Sequence, residues 1–394
     1  MRNLTHAPGR DELVRRVSEL EPVLRKHALW AEENRRLHDE VIEAMADAGL
    51  FKMRVPARYG GFESDARTLV DVGAALGLGD GSAAWTASVF WIPTWMAGLF
   101  PDHVQDEVFA TPDVRVCGTL SPSAAAAPAD GGVVVNGRWG FISGAWHSQW
   151  QTVIAMSATP DGGQEPIMAL VPMTDLEIVD DWHVSGLQGS GSVTTVAKGV
   201  FVPRERVLSL GAVLQERYAS VLNAGTPMFR APLLGVANAS TIGLIVGLAR
   251  AARNAFLDRL PERKITYTMY ASQGEAPVTH LQLAEATLKI DQAEFHAHRV
   301  AGLVDAKGST GEPWTLEERA RTRADIGAAC RLGQEAVDLL SGASGGSSIY
   351  RTVPIQRIAR DIRAVGLHAL IYPSTNFELY GRVLCGLEPN TFYI

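Results

Sequence analysis

Cysteine is scarce in this chain. Its 394 residues include three, Cys117, Cys330 and Cys385, odd in number and far apart, which argues against a disulfide framework and predicts a reducing cytoplasm. No pair has metal-ligand spacing, so no metal centre is expected. Basic charge is also short: 36 Lys and Arg against 43 Asp and Glu leave a formal net charge of −7. Nucleic acid and anionic membranes select basic patches, so neither is expected as the main partner. The local cluster "RNAFLDRLPERK", which contains Arg263, still suits a phosphate contact. There is no P-loop, no HExxH and no GxSxG pattern. The leading stretch "MRNLTHAPGRDELVRR" lacks the apolar core of a signal peptide. One long apolar run, "LLGVANASTIGLIVGLA" (233–249), holds Asn238, Ser240 and Thr241. It reads as a helix buried in a soluble bundle rather than a membrane span.

What is present falls into three textures. Residues 1–113 read as helices: in "HDEVIEAMADAGLF", Val41, Met45 and Ala48 share a face and Gly49 marks the stop. Gly77, Gly79 and Gly81 follow a helix-like stretch rather than a strand, so a helix end or turn is expected there, not a dinucleotide site. Residues 114–225 read as short strands without intervening helices, which predicts a small antiparallel barrel or sandwich. Asn136-Gly137, between two β-rich runs, predicts a hairpin turn, and "SAAAAPADGG" (123–132) predicts a loop. Residues 226–394 read as helices near 232–260, 278–306, 315–341 and 355–371, an antiparallel bundle in which Gly243 and Gly247 admit a close neighbour.

Several groups of residues carry chemical potential beside a plainer reading. His296 and His298 stand two apart on a helix and diverge, so a solvated face is expected and not a shared metal. "GLQGSGSVTT" sets Gly186, Gly189 and Gly191 among Ser190, Ser192, Thr194 and Thr195, either a long turn or a loop that brings hydroxyls to a flat or anionic ligand. "PIQRIARDIRAVGLH" carries Arg357, Arg360, Asp361 and Arg363, which suit surface pairing, and then His368, a helix-end histidine or a group facing a cleft. "WTASVFWIPTWMAGLF" contains Trp85, Phe90, Trp91 and Trp95, which fill a core or line a pocket. Three of the nine tryptophans crowd into "GRWGFISGAWHSQW" (137–150). Strand alternation puts Trp139, Phe141 and Ser143 on one face. A hydroxyl beside two aromatics needs a partner in a core, and a planar heteroaromatic ring would supply one.

In their order, "LFKMRVPARYGGFES", "DGSAAWTAS", "NGRWGFISGAWHSQW", "GLQGSGSVTT" with "VFVPRERV", "LIVGLARAA" and "PIQRIARDIRAVGLHA" resemble the acyl-CoA dehydrogenase superfamily. Within it they resemble the oxygenase components of two-component flavin-dependent monooxygenases. The resemblance covers nearly the whole chain. It implies an α+β fold: an N-terminal helical domain (1–113), a central antiparallel β-barrel (114–225) and a C-terminal four-helix bundle (226–394), usually a homotetramer. It also implies reduced FMN or FAD bound between barrel and bundle, O2 as co-substrate, and a separate flavin reductase. Ser143 and His368 fall on the positions of the family's barrel serine and bundle histidine, the former expected at flavin N5, the latter over the oxygen of the flavin hydroperoxide or of the substrate. Cofactor contacts are expected from Trp139, Phe141, Ser143, Gly189, Ser190, Ser192, Arg263 and Arg360, and substrate contacts from Trp85, Phe90, Trp91 and Trp95.

The family often places a polar anchor in the substrate region, where this chain has Ile92, Pro93 and Thr94. That points to a bulkier aromatic, polyketide-like or other secondary-metabolite substrate, hydroxylated by the enzyme. N-oxygenation of an amino sugar or amine, as in nitrososynthase-like members, stays open. Acyl-CoA dehydrogenase-like oxidation needs a carboxylate base, and the run after Arg360-Asp361 holds none until Glu378. A flavin-free binding scaffold is the remaining option, against which Ser143, the glycine loop and His368 weigh.

Overall fold

The structure, a computed structural model, describes residues 7–159 and 161–394. Residues 1–6 of the leading stretch lie outside it. Six helices come first: α1 (Arg10–Ser18), α2 (Glu21–Asn34), α3 (Asp39–Asp47), α4 (Ala66–Gly79), α5 (Gly81–Ala97) and α6 (Asp102–Val108). Asp65 and Asp80 cap α4 and α5 by accepting from the amides of Thr68 and Ala83, which satisfies donors that a helix start leaves free. The Gly77–Gly81 run is thus a helix end and the next helix start.

Strands follow: β1 (Val116–Gly118), β2 (Ala124–Ala129), β3 (Gly132–Ile142), β4 (Trp150–Ala158), β5 (Gln164–Pro172), β6 (Glu177–Val179), β7 (Val193–Pro203) and β8 (Val207–Ser209). They form one sheet in the order β6-β7-β3-β2-β4-β5-β8, with β1 beside β4. The β1–β4 and β2–β4 pairs are parallel, so the sheet is mixed rather than wholly antiparallel. Buried residues run nearly unbroken along β4 and through the second half of β5, as in strands covered on both faces.

Two turn expectations fail here for one reason. The hairpin turn is at Asp130 and Gly131, where Gly131 has φ +74°, and residues 124–129 form β2 rather than a loop. Asn136-Gly137 lies inside β3. Its Asn136 Oδ1 accepts from the Gly199 amide at 2.7 Å, and a Cβ at Gly137 would meet Ala124 Cβ at 2.1 Å. The two Asx-Gly pairs look alike locally, and cross-strand contacts decide which one turns.

The last third begins with the short α7 (Leu210–Leu214) and continues with α8 (Leu233–Arg259), α9 (Pro277–Thr310), α10 (Leu316–Ala343), α11 (Pro354–Gly366) and α12 (Pro373–Leu384). The apolar helix α8 is long enough to cross a membrane, and 94% of its most apolar window is buried inside the protein. A Cβ at Gly243 or Gly247 would sit 2.2 and 2.4 Å from the carbonyls of Val70 and Ala74, so the close neighbour admitted by these glycines is α4. The fourth expected stretch ends early: α11 stops at Gly366 and His368 lies in the turn before α12.

Candidate active site

The strand β3 pairs with β7 so that Trp139 faces Thr195 and Ile142 faces Val193. Three steps on β3 therefore match two on β7, a bulge of one residue. Phe141 occupies it with φ +61°. The expected common face of Trp139, Phe141 and Ser143 is absent, because alternation by two holds only while no residue is inserted. Trp139 is completely buried and donates its indole N–H to the Ile154 carbonyl at 2.9 Å. It fills the sheet's core and offers no surface to a cofactor. Phe141 is 74% exposed, with Trp182 edge-on at 5.8 Å between centroids. Ser143 turns inward and is 3% exposed.

Ser143 Oγ lies 2.7 Å from Ser192 Oγ, which lies 2.7 Å from Ser190 Oγ. Ser190 Oγ in turn donates to the Leu187 carbonyl at 2.7 Å. The Trp85 indole N–H, from α5, donates to Ser143 Oγ at 2.9 Å. Leu187 has φ +53°, a conformation that a non-glycine residue adopts only when held there. Two groups hold it: Asp361 Oδ1 of α11 accepts from its amide at 2.7 Å, and Trp182 donates to its carbonyl at 3.1 Å. Barrel strand, glycine loop, α5 and α11 thus meet at one chain of buried hydroxyls.

His368 stands against this chain through Trp85, ring centroids 5.3 Å apart and 64° between planes. Its ring has an exposed side, yet protein surrounds the rest. That desolvation and the Arg323 guanidinium hold its imidazole below the ordinary value, so it is neutral at pH 7. The Leu370 amide donates to its Nδ1 at 3.3 Å. In the neutral ring the proton therefore sits on Nε2, and the free edge is a donor.

Other expected site residues are placed elsewhere. Trp91 and Trp95 are buried, and donate their indole N–H groups to the carbonyls of Leu50 and Met228. They are core. Phe90 is buried beneath Gly144, where a Cβ would come within 2.3 Å of its ring. The open side of α5 is the row Trp85, Val89, Ile92, of which the last two are partly exposed. Gly189 is needed for packing, since a Cβ there would meet Ala31 and Ser82. Arg360 is committed to the Ser185 carbonyl, Glu32 and Gln356, so it clasps α11 to the loop and to α2 rather than facing solvent. Arg263 lies against Gly345, before α11, with Nη1 unpartnered. The 13 residues of α11, about 20 Å of helix, stand between it and the turn that carries His368.

Asp361, expected to pair at the surface, and Trp182, which carries no signal in the sequence, both hold the Leu187 turn. Asp361 is fully buried, facing Asp80, Glu32, Arg357 and the Leu187 amide, and burial together with the Asp80 carboxylate pushes it up to about 7. A charge-rich helix pattern reads as surface, and the docked loop together with the start of α5 turns this side inward. His296 and His298 are half-buried rather than solvated, and reach separate carboxylates, Asp325 at 2.9 Å and Asp71 at 3.1 Å. His27, His38 and Glu40 bring ligating atoms within 4.8 Å. There the two rings stack and Glu40 is taken by His27 and Lys26, so the lone pairs run side by side instead of converging. A crevice of about 360 Å³ between α1, α4, α8 and α9 is remote from Ser143, and its rim charges are paired with one another.

Residues 11–100 match the family described as "Acyl-CoA dehydrogenase, N-terminal domain", and residues 240–373 match "Acyl-CoA dehydrogenase, C-terminal domain". The chain is 32% identical over 378 residues to the flavin-dependent monooxygenase oxygenase subunit HsaA of Mycobacterium tuberculosis, 95% of each chain. It belongs to this family. The chain is one of the oxygenase subunits of flavin-dependent monooxygenases built on the acyl-CoA dehydrogenase fold. It is also 30% identical to the oxygenase component of the FADH2-dependent resorcinol hydroxylase of Rhizobium sp. (strain MTP-10005), over all of both chains. Among solved structures, XiaF from Streptomyces sp. in complex with FADH2 and glycerol superposes with a TM-score of 0.91 at 29% identity, covering 97% of each chain.

Proposed function

We propose that this oxygenase hydroxylates an aromatic small molecule in the cytoplasm, with reduced FMN or FAD delivered by a separate reductase and O2 as co-substrate. The observation that carries this reading is the meeting of Ser143, Trp85 and His368, with Phe141 exposed two residues from Ser143. These residues fit a flavin ring: an aromatic face free to stack, a fixed hydroxyl, and a neutral imidazole whose free edge donates. When bound, the reduced flavin activates O2 so that one oxygen atom is transferred to substrate and the other leaves as water.

The chain's own residues then have distinct tasks. Ser143 Oγ would hold the ring at N5 and set its orientation. Phe141 covers the ring on one side, with Trp182 supporting its edge, and keeps water away. His368, through Nε2–H, holds the substrate oxygen or the oxygen being transferred. Trp85, Val89 and Ile92 form the apolar wall against which an aromatic substrate lies. Arg263, whose Nη1 is buried without a partner, would meet the phosphate of the flavin tail only through its other guanidinium nitrogens. Glu378, the carboxylate that dehydrogenation would need, is exposed on α12 and accepts from Asn390, which disfavours that chemistry. Leu281, Leu288 and Phe295 recur every seven residues on the exposed side of α9, with Tyr267, Met269 and Ile349 also open. Association into a homotetramer would cover such apolar surface, and light scattering tests it.

The functional test mixes the protein with chemically reduced FMN or FAD without air, then admits O2 while absorbance and H2O2 are followed. The reading expects slow reoxidation and little H2O2 when an aromatic substrate is present. Reoxidation as fast as that of free flavin, with and without substrate, would sink it. Ser143→Ala is expected to speed H2O2 release, and His368→Ala to lower product per O2 consumed. Wild-type coupling in both variants would refute the roles given to them.

A further inference from the structure

We propose that Arg323 and Asn376 are positioning residues for oxygen transfer: together they hold the turn that carries His368 and so fix the edge at which its ring donates. The inference rests on the reading that His368 meets an oxygen of the reaction. Its own ground is a line of hydrogen bonds from α10 to the ring. Arg323 of α10 donates its Nε–H to Asn376 Oδ1 at 2.8 Å. Asn376, in the first turn of α12, donates from Nδ2 to the Leu370 carbonyl at 3.0 Å. The Leu370 amide then donates to His368 Nδ1 at 3.3 Å.

Only one polarity suits this line. A guanidinium has donors alone and a carbonyl accepts alone. The Asn376 amide, set between the two, is therefore held with its oxygen toward Arg323 and its nitrogen toward Leu370. The N–H of Leu370 can only donate, so Nδ1 of His368 accepts and Nε2 keeps the proton. Asn376 is fully buried and Arg323 is 5% exposed, so bulk water does not compete for these bonds. The guanidinium is tied on its far side as well. Its Nη1 donates to the Tyr393 carbonyl at 2.6 Å, and the Tyr393 hydroxyl donates to the Leu120 carbonyl at 2.6 Å. Gly327 lets α12 come close to α10, since a Cβ there would stand 3.2 Å from Asn376 Cβ.

The charge is the second ground. Buried charges are ordinarily paired, yet both partners of Arg323 are neutral, and no carboxylate offsets its burial among the described residues. A neutral donor would hold Asn376 without that cost. What the cation adds is its action on His368, where it opposes a second proton. It is the charged group that acts on this ring, and Trp85, packed on the ring from α5, carries no charge. A doubly protonated ring would set Nδ1–H against the Leu370 N–H and break the line. Arg323 thus supports both the link and the neutral ring that the link requires.

The test is solid-state nitrogen-15 NMR of the full chain labelled at the histidine rings, with the His368 signals assigned by their loss in His368→Ala. At pH 7 the wild type is expected to show Nδ1 bare and Nε2 protonated. Asn376→Asp keeps the contact with Arg323 but sets a carboxylate oxygen against the Leu370 carbonyl. Arg323→Met removes the clamp at its other end, so the test survives if one variant fails to fold. In each, the ratio of Nε2–H to Nδ1–H forms should fall about fivefold, the worth of one hydrogen bond. At about pH 5.5, below the ordinary histidine value, Arg323→Met should show a larger share of charged ring than the wild type. Arg323→Lys, which keeps the charge, should not. Equal shares in Arg323→Met and the wild type would overturn the part given to the charge. A wild-type ratio in both Asn376→Asp and Arg323→Met, or a wild-type ring with its proton on Nδ1, overturns the clamp. A changed ratio with wild-type product per O2 consumed overturns the positioning role if His368→Ala lowers that yield, and overturns the reading of His368 itself if it does not.

Discussion

Three tryptophans on α5 can be compared like for like. Trp91 and Trp95 donate to backbone carbonyls, Leu50 and Met228, deep in the helical region, whereas Trp85 donates to the hydroxyl of Ser143 where helix, sheet and bundle meet. A carbonyl in a fold has one orientation, so an indole bound to it only packs. A hydroxyl has a movable proton, and an indole that occupies one of its lone pairs restricts where that proton goes. The same side chain on the same helix is a wall in one place and part of a polar relay in the other, and its hydrogen-bond partner makes the difference.

The largest effect that would break this comparison is on stability. Trp95→Ala should cost about 3–5 kcal/mol by emptying a fully packed site, read as a fall in the denaturation midpoint. Trp85→Phe keeps most of the packing and should cost only about 1 kcal/mol, while raising H2O2 release per O2 consumed. Equal destabilisation by the two, with unchanged coupling for Trp85→Phe, would erase the distinction.

A second effect concerns the relay's anchor. Asp361 is held up to about 7 by burial and by Asp80, against about 3.9 in an unfolded chain. Between those values the native state keeps a proton that the unfolded state has released, so this residue's contribution to stability falls as pH rises toward 7 and levels off above it. Asp361→Asn removes the titration. From pH 5 to 7, wild-type stability should fall relative to the Asn variant by up to about 1.4 kcal/mol per pH unit. Parallel curves would place the Asp361 titration elsewhere.

The smallest effect has opposite signs in its two readouts. Phe141 holds a positive φ that glycine adopts freely. Phe141→Gly should therefore stabilise the fold by about 1 kcal/mol, yet weaken reduced-flavin binding severalfold through loss of the aromatic face. Loss of stability without loss of binding would show that Phe141 serves the sheet and not the site.

The succession of helices, strands and helices was legible because periodicity and turn residues are local properties. Gly243 and Gly247 were legible too, since a glycine pair one turn apart on an apolar helix has few uses other than close approach. Ser143, Ser190, Ser192 and His368 stand out by residue type and neighbours, the resemblance supplies their roles, and the fold draws Ser143, Ser192 and Ser190 into one chain with His368 against Trp85 beside it. What stayed hidden depended on pairings distant in sequence. Asn136-Gly137 carries the signature of a turn, and only its neighbours on β2 and β7 keep it straight. Trp139 and Phe141 alternate correctly until a strand partner reveals the inserted residue. Asp361 looks like half of a surface pair until the Leu187 loop closes over it.

That inserted residue has a consequence for comparing chains. Side chains along a strand have a parity, inside or outside, and the bulge at Phe141 changes it between Trp139 and Ile142, just before the turn that carries Ser143. A relative one residue shorter between these two positions keeps the same letters but exchanges their sides. Its serine would leave the strand on the side opposite to the one that Ser143 takes here. Length across this stretch, more than identity within it, decides whether a site can be transferred from one member to another.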